Sequence, residues 1–221
     1  MDSKEFYDKN GYIILKNIFS EKQIDEYKQE ILLYIKNNKT IKNAGGITIP
    51  DFIKQSTLSK TALIKENTQI NNKLQELLGS NYRFCSHNDI GINRVVGWHK
   101  DKLNGEVSKY ETVDIWSEYN GQKHEIVKVL IYLQDHSNNN DGLKIVLRSQ
   151  KNKKIDTKGW IQLNPSLGDV IIFDQRITHR GMNKPVKNRR ILISFGFGKN
   201  NIFTDNFEKG TIIRQNKQNN I

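Results

Sequence analysis

Apolar positions along the chain change texture near residue 80, from helical spacing before it to short strand-like runs after it. Residues 11–18, Gly-Tyr-Ile-Ile-Leu-Lys-Asn-Ile, are apolar and β-branched and predict a short strand. Ser20-Glu-Lys-Gln23 has the form of a capping box, in which the serine hydroxyl accepts an amide three residues on and the glutamine reaches back. Ile24, Tyr27, Ile31 and Tyr34 follow at helical spacing and predict a helix to about Asn37. A looser stretch holding Gly45-Gly46 and Pro50 leads to a second helix, roughly Asn67 to Leu78, which Gly79-Ser80 stops.

From Tyr82 onward, short apolar runs alternate with Gly- and Asn-rich breaks. The runs are Ile90 to Trp98, Ile126 to Leu133, Leu143 to Leu147, Trp160 to Leu163, Val170 to Phe173 and Ile191 to Phe197. Turn chemistry at Ser137–Gly142, Ser166–Asp169 and Asn183–Pro185 separates them. Several short strands at this spacing predict a barrel or sandwich, mainly β with flanking α, and exclude a parallel α/β sheet. The tail from Asn200 is polar and weakly patterned. With no repeat or linker, the chain reads as one domain over 1–221. In it, 1–80 supplies a strand and helices, 81–200 the β core, and 201–221 a polar tail.

Composition narrows the function. The chain has 221 residues with 35 basic and 24 acidic side chains, net +11. Lysines are spread along its whole length, among many Asn and Ile and few Arg, as coding bias would leave them. Nucleic-acid binders concentrate basic and aromatic residues, so the charge argues against such a partner and fits an anionic small substrate better. A single cysteine, Cys85, excludes a disulfide framework and a cysteine zinc site; in a strand-like run it reads as a buried, inert thiol. No basic, apolar leader and no apolar run of about 20 residues is present, so a cytoplasmic protein with no membrane span is expected.

The five histidines are His87, His99, His124, His136 and His179. There is no Gly-x-Ser-x-Gly elbow and no phosphate-cradling glycine motif, which leaves metal chemistry. In Trp98-His-Lys-Asp101, residues i and i+2 of an extended segment share a face, so His99 and Asp101 can reach one ion. Imidazole with carboxylate suits Fe(II), and a distant second histidine would complete a facial triad with open positions. His87-Asn-Asp89 has the same spacing and competes with it; it falls at the start of the run that ends at His99. His99 is preferred because it sits at a strand end before a polar loop. The third ligand is suggested by Gly168-Asp-Val-Ile-Ile-Phe-Asp174, a turn and buried strand leading to Thr178-His179. Arg190 follows eleven residues after His179, far enough to cross a hairpin and return, where its guanidinium could bind a carboxylate bidentately.

These features, with Phe6-Tyr-Asp-Lys-Asn-Gly-Tyr-Ile-Ile-Leu15, Tyr132-Leu-Gln-Asp135 and Asp141-Gly-Leu143, occur in one order along nearly the whole chain. In that order they resemble the phytanoyl-CoA dioxygenase-like branch of the Fe(II)/2-oxoglutarate-dependent oxygenases. The resemblance implies a double-stranded β-helix (jelly roll, cupin-like) with N-terminal helices. It also implies Fe(II) on His99, Asp101 and His179, and 2-oxoglutarate anchored by Arg190, with Arg189 as a fallback. Asn93 would contact the cosubstrate and Lys128 would face the pocket. The implied reaction uses O2, releases succinate and CO2, and hydroxylates an unactivated C–H. Asp101 stands where halogenating relatives have a small residue, which favours hydroxylation. Leu147-Arg-Ser-Gln150 departs from the Gly-Ser-His ending the family tends to have.

The remaining candidates read structurally. His124 and His136, in polar settings, are expected to be exposed. The tryptophans are expected to pack, Trp116 being the best pocket wall, and the long segment Lys102 to Gln122 is expected to set specificity. A cupin-like metal- or sugar-binding jelly roll explains the strands and histidines equally well but has no use for Arg190. An oxygenase acting on RNA or protein would put surface lysines beside the iron cleft. Substrate identity and oligomeric state stay open.

Overall fold

The computed structural model describes residues 2–138, 141–181 and 190–219. The chain runs α1 (Ser3–Asn10), β1 (Tyr12–Leu15), α2 (Glu21–Asn37), β2 (Ile41–Asn43), β3 (Gly46–Pro50), the one-turn α3 (Ser59–Ala62) and α4 (Thr68–Leu78). It continues through β4 (Tyr82–Ile92), β5 (Ile126–Tyr132), β6 (Leu143–Val146), β7 (Trp160–Leu163), β8 (Val170–Asp174), β9 (His179–Arg180), β10 (Ile191–Lys199) and α5 (Ile202–Asn219). Seven strands form one antiparallel sheet in the order β1-β8-β5-β10-β4-β3-β2; β7-β6-β9 form a second. This is the jelly roll expected, with strands added at one edge.

Every residue of β5 is buried, which explains why the run is apolar apart from Lys128. Val127, Val129 and Ile131 join Ile191, Ile193, Phe195, Val170 and Ile172 in a core with Ile24, Ile31, Ile70 and Leu74 of the helices. Leu130 and Tyr132 point the other way, with Ile171 and Phe173, onto Leu143, Ile145 and Leu163 of the small sheet. One face carries the helices. The other faces the interior, so alternate residues of β5 and β10 can line a site.

The capping box forms as expected: Gln23 N donates to Ser20 Oγ (3.3 Å) and Ser20 N to Gln23 Oε1 (3.0 Å), opening α2. Asn67 caps α4, and Gly79, at φ 84°, ends it.

Four expectations need correction. The run from Ile90 does not continue as a strand to Trp98: β4 ends at Ile92, and Asn93 turns left-handed (φ 52°). The looser stretch before Pro50 holds β2 and β3, and β1 to β3 all join the large sheet, so residues 1–80 are not only an outer layer. The expected polar tail is helix α5, which buries Phe203, Phe207, Thr211 and Gln215 at four-residue spacing; its polar members hide the stripe. His124 and His136 are buried, not exposed, because each finds a partner: His124 Nε2 lies 3.0 Å from Gln175 Oε1, and His136 packs edge-on against Tyr132. The turn at Asn183–Pro185 and Arg189 lie outside the described residues. Among the described residues no helix is long and apolar enough to cross a membrane.

Candidate metal centre

Backbone pairing, not strand continuity, brings the first two histidines together. His99 and His179 exchange both backbone hydrogen bonds at 2.9 Å, and Asp101 N donates to Gln175 O at 3.0 Å. The segment from His99 to Asp101 is thereby extended alongside β9, and its i and i+2 side chains reach the same side. The ligand atoms of His99, Asp101 and His179 lie within 4.8 Å of one another. His99 Nε2 is 3.4 Å from Asp101 Oδ1, and His179 Nε2 is 3.9 Å from Asp101 Oδ2.

The outer contacts fix which ring nitrogen points inward. His99 Nδ1 lies 2.8 Å from Gly97 O, and His179 Nδ1 lies 3.0 Å from Ile177 O. A carbonyl only accepts, so each Nδ1 carries a hydrogen, and in the neutral ring Nε2 is the nitrogen left to ligate a metal. Two such nitrogens and a carboxylate are the donor set of a facial triad, and they fit a divalent iron. Burial would raise Asp101, but Lys128, His179 and His99 hold it well below the usual carboxylate range. Burial and the neighbouring His99 push His179 down to about 4, so it is neutral and ready to bind a metal. Burial pulls His99 down too, yet its hydrogen bond to Asp101 leaves it raised.

A cavity of about 160 Å³ opens over the triad. Its interior wall comes from alternate positions of three neighbouring strands: His87, Asp89 and Gly91 of β4, Lys128, Leu130 and Tyr132 of β5, and Leu192 and Ser194 of β10, with Arg190 just before β10. Arg190 is buried; its Nη2 donates to the Tyr132 hydroxyl (2.9 Å), while its Nε has no partner among the described residues. Lys128 is buried with Nζ 3.7 Å from Asp101 Oδ2. The structure therefore brings together His99, Asp101, His179, Arg190 and Lys128.

It does not bring the other two. Asn93 spends its side chain on the backbone: Oδ1 accepts from Arg190 N at 2.6 Å, while Asn93 N donates to Arg190 O. It positions Arg190 and does not line the cavity. Trp116 lies in a separate cavity with Tyr7, Asp174 and Arg176, its ring flanked by Lys100 and Arg176, because the segment 102–122 folds away from the triad. No residue of that segment lines the triad's cavity, so it does not set specificity there as expected. The competing pair is also accounted for. His87 and Asp89 share the cavity, but Asp89 is bound by Arg214 of α5 at 2.9 Å, and His87, pushed down to about 3 by burial, lies 3.2 Å from Ser194 Oγ. Arg94 and Arg214 were not anticipated. Nothing in the pattern around Arg94 marks it, and Arg214 sits in the part read as a tail.

Cys85 lies close by on β4, fully buried, and burial pushes its thiol up to about 12. A thiol reagent at about pH 8 is expected to leave the native protein unlabelled and to label one cysteine after denaturation. Stoichiometric labelling of the native protein would contradict the inert reading.

The profile of the phytanoyl-CoA dioxygenase (PhyH) family matches residues 7–190. The chain belongs to this family. It is an Fe(II)/2-oxoglutarate-dependent oxygenase, with iron and 2-oxoglutarate as its cofactors. Among solved structures it is similar to HygX from Streptomyces hygroscopicus with nickel and 2-oxoglutarate bound: TM-score 0.70, 14% identity, covering 90% of this chain and 88% of that one. It is also similar to the non-heme α-ketoglutarate-dependent epimerase SnoN from nogalamycin biosynthesis (TM-score 0.67, 14% identity, 89% and 81% covered). A third is AviO1 from Streptomyces viridochromogenes Tue57 (0.67, 12%, 90% and 94%). At these identities the likeness speaks for the fold. A sequence comparison with curated proteins gave no match.

Proposed function

We propose that the protein is a hydroxylase of a small anionic metabolite, with Fe(II) held by His99, Asp101 and His179 and the distal carboxylate of 2-oxoglutarate held by Arg190. The observation that carries this reading is the shared cavity. Three convergent ligand atoms and a buried guanidinium, whose Nε has no partner among the described residues, line one cavity. A guanidinium with no anion in reach is costly to bury, so a carboxylate-bearing ligand gives Arg190 its purpose. A cupin-like module that only binds metal leaves it unexplained.

When bound, iron with 2-oxoglutarate supplies the oxidation, giving succinate and CO2 from the cosubstrate and consuming O2. The chain's own groups do the rest. Gly97 O and Ile177 O hold the two imidazoles in the tautomer that offers Nε2. Asn93 and the Tyr132 hydroxyl fix the Arg190 backbone and fork. The apolar residues Leu130, Leu143, Phe173 and Leu192 exclude water from the space above the triad. Asp101 keeps a carboxylate in the triad, which favours hydroxylation over halogenation. A small substrate is favoured because the cavity is narrow and, among the described residues, Lys128 is the one lysine that lines it and is buried. Lys128 is assigned to the substrate side.

Succinate formation from 2-oxoglutarate, started by oxygen after anaerobic Fe(II) loading, tests the reading. Wild type is expected to turn over slowly without substrate. Arg190→Ala is expected to raise KM for 2-oxoglutarate roughly 10- to 100-fold, the loss of a charged hydrogen bond. If the Fe(II)-loaded protein neither binds nor consumes 2-oxoglutarate, the binding-module reading replaces this one.

A further inference from the structure

One cation in the cavity has neither a partner nor a task. Arg94 makes no hydrogen bond or ion pair with any described residue, and its Nε is buried and unpartnered. It follows the left-handed Asn93, and its stem folds back over β4. A Cβ on Gly91 would meet Arg94 Cδ at 3.1 Å and Nη1 at 3.9 Å, so the absence of a side chain at Gly91 makes the room. Gly91 pairs with Leu192 in the ladder, and both line the cavity with Arg94. The guanidinium therefore lies over the interior wall. Arg94 lines the same cavity as His99, Asp101 and His179.

The acids nearby are already engaged. Asp89 is bound by Arg214, and Asp101 belongs to the triad. Charge counting, which rests on the oxygenase reading above, leaves a surplus. A divalent ion with Arg94, Arg190 and Arg214 brings five positive charges against the two of Asp89 and Asp101. Dianionic 2-oxoglutarate removes two more, and one positive charge is left even if Lys128 is counted as neutral. The distal carboxylate of the cosubstrate has Arg190 and the Tyr132 hydroxyl. Arg94 has nothing. Arg94 is half-buried, its Nε is shut from solvent without a described partner, and an oxyanion entering the cavity would satisfy it.

We propose that Arg94 is the specificity determinant of this pocket and takes an oxyanion of the substrate, a carboxylate or a phosphate group, opposite the anchor for 2-oxoglutarate. The planar fork suits either group bidentately and disfavours neutral or cationic substrates.

Calorimetric titration of the anaerobic Fe(II)-loaded protein, saturated with 2-oxoglutarate, tests this with inorganic phosphate and acetate as probes in separate arms. Wild type is expected to bind at least one of them, and the arm that responds names the oxyanion. In Arg94→Gln that binding is expected to weaken roughly tenfold or more, the loss of a charge-assisted pair, while affinity for 2-oxoglutarate changes less than about threefold. Arg190→Gln is expected to do the reverse. The melting temperature of Arg94→Gln is expected to stay close to wild type, since no described residue pairs with its guanidinium. Equal oxyanion binding in wild type and Arg94→Gln, or none in wild type, overturns the proposal. So does a loss of 2-oxoglutarate affinity matching that of Arg190→Gln, which makes Arg94 a cosubstrate anchor, or a fall in melting temperature, which makes it structural. Failure of the Fe(II)-loaded wild type to bind 2-oxoglutarate would sink the oxygenase reading instead, and is seen before any probe is added.

Discussion

His179→Ala is expected to abolish stoichiometric Fe(II) retention and, with it, 2-oxoglutarate turnover. The loss should go well beyond the roughly 10- to 100-fold that changes in the outer contacts of a metal site cost. His179 is buried, and its Nε2 faces Asp101 with no other polar group to take its place. A triad cut to one imidazole and one carboxylate loses a third of its donors, and the remaining pair is exposed to competing water. The fold should survive. The backbone bonds between His99 and His179 do not involve the ring, and the bond from the ring to Ile177 O is local. Iron content after anaerobic loading and gel filtration, with succinate measured alongside, decides it. A variant that keeps one iron per chain and turns over at wild-type rate would remove His179 from the metal site.

Phe195→Ala is expected to give the largest loss of stability, about 3–5 kcal/mol. Its side chain is fully buried on the helix-facing side of β10, edge-on to Phe52 at 5.4 Å and close to Phe84 and Phe197. Truncation leaves a void between two layers that β10 pins on both sides, with Val129 and Asn88 in register beside it, so collapse is restricted. For a domain of this size the melting temperature should fall by roughly 10 °C. The opposite face of the same strand carries Leu192 and Ser194 of the cavity. At a temperature where the variant is folded, KM for 2-oxoglutarate should therefore be close to wild type. Thermal denaturation checks the first statement and steady-state succinate formation the second. A drop of only a few degrees would mean that the aromatic cluster refills the space.

The sequence made α2 and α4 legible because their signals are local. A capping box, an asparagine cap and a stripe at helical spacing act within a few residues of one another. The runs at β5, β8 and β10 were legible because strands largely covered on both faces are mostly apolar. His99 with Asp101 was visible as spacing alone, and His179 and Arg190 as positions in an ordered set. That order also carried the family. What failed was whatever depended on a distant partner. Helix α5 buries Thr211 and Gln215 as well as Phe203 and Phe207, because Gln215 reaches carbonyls of β4, and no periodicity of apolar residues reports that. His124 and His136 look solvated in their sequence neighbourhoods and are buried by Gln175 and Tyr132. Trp116 looks like a pocket wall, but its segment lies against another cavity.

The sequence by itself therefore determined the main helices and core strands, the jelly roll, the family and the short set of residues able to hold a metal and a carboxylate, since these follow from local spacing and order along the chain. Only the tertiary structure decided which of them meet. A left-handed turn at Asn93 ends β4 early, lets His99 pair with His179 instead of continuing a strand, and folds Arg94 back over Gly91. Convergence of that kind depends on hydrogen bonds between residues some eighty positions apart, where the spacing along the chain carries no information about distance.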